Sequence, residues 1–152
     1  HQGHMHNFIT RMQYEAQLML NAYGHLRYLK HKIDAFLRYM LFIDEVPLTD
    51  TVHSSSGYTK AFTSMGPEDS KGRSLRDFNL ETRIFEYPCS YLIYSEAFQA
   101  LPEKLKAEIY NKLWKILTGE NNQPEFSKLT VTSRKAIHDI LKETLPDLPN
   151  YW

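Results

Sequence analysis

The sequence predicts an all-α fold: about five main helices in one compact domain, with a long irregular loop over about 46–73 between the second and third. Three observations predict it. Apolar residues recur at three- and four-residue steps in successive stretches, the spacing of one helix face. Glycines and prolines fall between those stretches, where helices stop. Strand signals are nearly absent.

The first five residues, HQGHM, read as the remnant of a cleavable tag joined to a start methionine. The domain is therefore expected over 6–152, as the C-terminal part of a longer protein. From His6 to about Tyr23, the residues Phe8, Ile9, Met12, Ala16, Met19 and Leu20 mark a first amphipathic helix. Gly24 ends it, and Leu26, Leu29, Ile33, Phe36, Leu37, Met40 and Leu41 mark a second, packed on the first as a hairpin. Asp44, Glu45 and Pro47 close that helix. Residues 46–73 have no period, and so long a patternless tract in a small domain is expected to be functional, disordered or tied down by its own side chains, with Tyr58, Phe62 and Met65 as ties. Ser74, with Asp77 three residues on, reads as a shortened capping box.

Pro88 suits the first turn of a short helix carrying Tyr91, Leu92, Ser95 and Phe98. Pro102 opens the cleanest stripe, Leu105, Ile109, Leu113, Ile116 and Leu117, which Gly119 ends. Thr130 is an N-cap candidate for a last helix to about Thr144, with Ile137, Ile140 and Leu141 facing inward. Pro146 and Pro149 stop it, and Tyr151 and Trp152 are expected to dock back on the body.

Composition excludes several classes. Lys plus Arg equals Asp plus Glu at 18 each, so bulk charge does not favour nucleic acid as a partner. The longest apolar runs, such as YMLFI at 39–43, are far too short to span a membrane. A single cysteine, Cys89, allows no internal disulfide. The histidines form neither HxxxH nor HExxH, so neither a metal nor another cofactor is expected. Cys89 follows a proline at a helix start, which can activate a thiol, but it reads first as a small buried apolar residue.

The richest constellation is Asp69, Lys71, Arg73, Arg76, Asp77 and Arg83, beside Gly66 and Gly72. Guanidinium forks suit carboxylate or phosphate, and glycines let backbone amides approach an anion. The candidate ligand- or partner-binding residues are Tyr58, Arg73, Arg76 and Arg83, with Ser74 and Asp77 shaping the loop and His53 nearby. The plainer reading pairs the arginines with Asp69, Asp77 and Glu81 and pins the loop to the helices. An enzymatic alternative takes His53 or Asp69 as a base, with arginines holding an anionic substrate. His53-Ser54-Ser55-Ser56 alone is no triad, because adjacency in sequence does not place a base and its orienting group. Asp44 and Glu45 are expected to hold the loop through Arg73 or Arg76. Lys104, Lys106, Lys112 and Lys115 read as a solvated face near Tyr110 and Trp114.

The tract GRSLRDFNLETRIFEYPCSYLIYSEAF at 72–98, with FIDEVPL before it and SKLTVTSRKAIHDIL and LPDLPNYW after it, resembles the C-terminal region of a group of uncharacterised, exported bacterial proteins. The likeness covers most of the chain from Asn7 onward. It implies a periplasmic or cell-surface setting and a larger variable portion upstream, and it implies no reaction. The expectation is thus a non-catalytic helical binding or accessory module of a bacterial envelope protein. It would engage a protein partner, an upstream domain of the same polypeptide, or a small anionic ligand through the 46–85 loop. The alternatives are an enzyme and a purely structural domain.

Overall fold

The computed structural model describes residues 2–43, 66–77, 87–120, 123–127 and 129–152. Among these residues there are five α-helices and no strand. No helix among them is long and apolar enough to cross a membrane.

Helix α1 spans Gln2–Tyr23 and starts a turn ahead of His6. Met5 is fully buried there, in line with Ile9, Met12 and Ala16. Gly24, at φ 70, ends the helix, its amide donating to the Leu20 carbonyl at 3.0 Å. A 3-10 turn over Arg27–Leu29 leads into α2, Lys30–Met40. The two helices form the expected hairpin: Phe8 meets Phe36 at 5.5 Å between ring centres, and Glu15 pairs with Lys32.

The end of α2 is a Schellman motif. Phe42 donates to the Tyr39 carbonyl at 3.2 Å and Ile43 to the Arg38 carbonyl at 3.0 Å. Phe42 holds the left-handed position, φ 56, that glycine usually takes. The Ser90 amide caps Met40 from outside, donating to its carbonyl at 2.8 Å.

The segment after Pro88 departs from one short helix. Pro88 sits in a bend, and the chain forms a 3-10 turn, Tyr91–Tyr94, then a single α-turn, α3, Glu96–Gln99. Serine chemistry causes the break. Ser90 Oγ accepts from the Leu92 amide and Ser95 Oγ from the Phe98 amide, each at 3.2 Å. Ser95 is extended, so the helix restarts there with its own cap.

Helices α4, Glu103–Thr118, and α5, Val131–Thr144, follow the sequence reading closely. Gly119 ends α4 at φ 86, and Thr130 Oγ1 caps α5 by accepting from the Ser133 amide at 3.0 Å. The pair is antiparallel and is locked at one end by Arg134. Its guanidinium donates to the carbonyls of Ile116 at 2.9 Å, Phe126 at 2.7 Å and Leu129 at 3.1 Å. At the other end Tyr110 donates to Asp147 at 3.2 Å, and Lys106 pairs with the same carboxylate at 3.0 Å.

The core is one cluster threaded by a ladder of rings. Phe36 of α2 stacks on Phe98 of α3 at 6.1 Å, and Phe98 meets Tyr110 of α4 at 6.0 Å. All three are buried. Each such burial contributes on the order of 2 kcal/mol, and aromatic geometry adds about 1 kcal/mol per pair.

Candidate functional site

Residues 66–77 form a compact clasp against α5. Its centre is Asp69, a carboxylate buried on the protein side of a tight turn. The turn closes through the Asp69 amide to the Arg73 carbonyl, 2.9 Å, and the Gly72 amide to the Asp69 carbonyl, 3.0 Å. Gly72 makes this possible by adopting φ 76, which L side chains adopt at a cost. The Asp69 side chain then fills the turn. Oδ1 accepts from the amides of Lys71, 3.0 Å, and Arg73, 2.8 Å, while Oδ2 accepts from Arg73 Nε at 2.7 Å. Burial alone would push this carboxyl up. The bonds from Arg73 and Lys71, with the guanidinium charge, outweigh burial and hold it below the ordinary value of 3.8.

Two carboxylates one helical turn apart on α5 receive the clasp. Asp139 lies 3.9 Å from Arg73 Nη2. Glu143 accepts from both the amide and the hydroxyl of Ser70. The second half of the clasp is closed reciprocally: the Ser74 amide donates to Asp77 Oδ2 at 3.0 Å, and the Arg76 amide donates to Ser74 Oγ at 3.1 Å. Leu75, fully buried, anchors it in the core. Arg76 lies over the Tyr91 ring, 4.4 Å from its centre. The stem of Arg76 crosses Gly66 so closely that a Cβ there would stand 2.7 Å from Arg76 Cδ. Both glycines therefore serve internal fit.

Asp139 continues inward to His138, 3.3 Å from its Nδ1, and His138 lies flat on Trp152 at 5.4 Å between ring centres. The tail docks as expected. Trp152 is buried, and Tyr151 packs edge-on against Trp114 while accepting from Asn111 at 3.3 Å. The α4 lysines are more engaged than a solvated face requires. Lys112 pairs with Asp34 of α2 at 2.9 Å and Lys106 with Asp147, while Lys115 stays exposed.

The clasp has little to offer as a reagent. Both Asp69 oxygens are occupied, and its carboxyl is held ionised, so it is a poor proton acceptor near neutral pH. Cys89 is fully buried, and desolvation pushes its thiol up to about 12. It is a neutral packing group rather than a nucleophile. Among the described residues no three His, Cys, Asp or Glu side chains gather at metal-binding range.

Of the sequence candidates, Arg73, Ser74, Arg76 and Asp77 lie together in the clasp. His53, Tyr58 and Arg83 lie outside the described residues, as do Asp44, Glu45, Phe62, Met65 and Glu81. Sequence reasoning missed Ser70, Asp139 and Glu143. A faint signal existed for Glu143: an acid in the last turn of a helix opposes the dipole and needs another partner. Compared with known proteins, the chain matches no family profile, no curated protein and no solved structure.

Proposed function

We propose that this chain is a non-catalytic helical module that presents a preorganised turn to a protein partner or to an upstream part of its own polypeptide. Pro67, Glu68, Lys71 and Gly72 are the exposed tip of that turn. The observation that carries the reading is the Asp69 carboxylate, which spends all its bonding on Lys71 and Arg73 within the clasp. A turn fixed in advance loses less conformational freedom on docking, which favours affinity. The same observation counts against Asp69 as a base. It also counts against Arg73 as an open anion receptor, since that guanidinium already faces Asp69 and Asp139. The envelope setting implied by the resemblance belongs to the same proposal.

Amide hydrogen exchange tests it. The Lys71 and Arg73 amides, which share Asp69 Oδ1 as acceptor, should exchange nearly as slowly as those of α5, and Asp69→Ala should release both. Inorganic phosphate should leave the wild-type Tm unchanged. Rapid exchange at both amides would remove the preorganised turn. A phosphate-induced rise in Tm that Arg73→Ala abolishes would transfer the clasp to an anionic ligand.

A further inference from the structure

The turn joining α1 to α2 carries a second surface, built from different residues. Between Glu15 and Asp34 the sequence has no acid, but it has Arg27, Lys30, Lys32, His25 and His31. In a chain whose charges balance, this is a local segregation of sign. The flanking acids do not neutralise it. Glu15 is taken by Lys32, and Asp34 is bound by Lys112 from α4. Arg27 and Lys30 are exposed and form no ion pair among the described residues. Lys104 of α4 adds a third cation beside the turn, 3.4 Å from the Gly24 carbonyl.

The same turn exposes aromatic area. Tyr23 is 60% exposed and Tyr28 is 66% exposed, yet the two rings touch, 5.3 Å between centres. His25 lies against both at 5.7 Å, stacked on Tyr23. The His25 ring is set in place by accepting from the Arg27 amide at 3.4 Å. Ordered tyrosines beside an arginine are the composition of protein-binding surfaces, since rigid amphipathic rings gain contact area at low entropic cost, and the lysines around them add charge.

We infer that the Tyr23–His25–Tyr28 cluster, with Arg27, Lys30 and Lys104, is a docking surface for an acidic, aromatic-bearing segment of a partner protein. Charge complementarity fixes the acidic character. A single-stranded nucleic acid fits less well. The Tyr23 face is already covered by His25, and the cations ring a turn instead of tracking a groove. A lipid surface also fits less well, because the patch offers tyrosines and no aliphatic group to insert.

The experiment uses the full chain with three labelled probes in anisotropy titrations: a glutamate–tyrosine copolymer, poly-L-glutamate and poly(U). The copolymer should bind tightest, and its affinity should weaken with salt. Arg27→Glu with Lys30→Glu should weaken it by about 10-fold or more, a loss typical of reversing two interface charges. Tyr23→Ala with Tyr28→Ala should bring the copolymer down to the level of poly-L-glutamate. Lys115→Glu, an exposed lysine of α4, should leave binding as it was. All these side chains are exposed, so the variants should keep the wild-type Tm, and a tyrosine pair that unfolds leaves the charge pair to decide. Tighter binding of poly(U), no binding of the copolymer, or equal loss in Lys115→Glu would each overturn the inference.

Discussion

The face of α5 that packs on α4 and the face that receives the clasp do the same mechanical job by opposite means. Against α4, Ile137, Ile140 and Leu141 meet the Leu105, Ile109, Leu113 and Ile116 stripe, and every one of these side chains is buried. That contact is non-directional and grows with area. Against the clasp, Asp139 and Glu143 hold Arg73 and Ser70, with the Asp69 carboxylate behind them and Leu75 as its fully buried apolar anchor. That contact depends on a few directed bonds to charged groups, which are strong while complete and costly when half made. The difference teaches where the molecule is robust. The apolar side chains of the helix seam carry no titratable group, whereas the clasp depends on the Asp69 carboxylate and is open to acid.

The largest effect should come from the apolar side. Leu113→Ala leaves a cavity in a fully buried position and should cost about 3 kcal/mol, lowering Tm by roughly 10 °C in calorimetry with loss of both regions together. Asp69→Ala should cost about 2 kcal/mol by stranding the Arg73 guanidinium and two amides. Its signature is local: exchange rises across 66–77 while α4 and α5 stay protected. A global collapse would erase the distinction between the two faces.

Acid sharpens the contrast. Because the native Asp69 carboxyl ionises more readily than the 3.8 of an unfolded chain, its contribution is complete above that value and is lost as pH falls through the lower native one. Wild-type Tm should therefore drop more steeply than that of Asp69→Asn below about pH 4. Parallel curves would mean that Asp69 carries no linkage. The smallest effect is Gly72→Ala, about 1 kcal/mol from the left-handed backbone alone, since a Cβ there meets open space. A neutral result would show that the turn relaxes.

Much of this was legible in the sequence, for a physical reason. Helix periodicity is a local signal, and the stripes of α4 and α5 give the right faces and the right ends at Gly119 and Thr130. Ser74 and Asp77 were legible as a turn because both partners lie within four residues. The break at Ser95 was not, since the serine that stops the helix is also a tolerated helix residue until its side chain finds the Phe98 amide. Ser70 and Glu143 are far apart in the chain, and no spacing rule connects them. The expected link from Asp44 and Glu45 to Arg73 or Arg76 falls outside the described residues.

Arg134 is a hub where three stretches of chain converge, the final turn of α4, the short 3-10 turn at Pro124–Phe126 and the residue before the α5 cap. A lysine offers one point of contact and cannot replace a planar fork with three separate donors. Anyone splicing a peptide into this connection, or opening the chain here to permute it, must keep those oxygens gathered around a single guanidinium. Otherwise the α4–α5 hairpin loses its hinge pin.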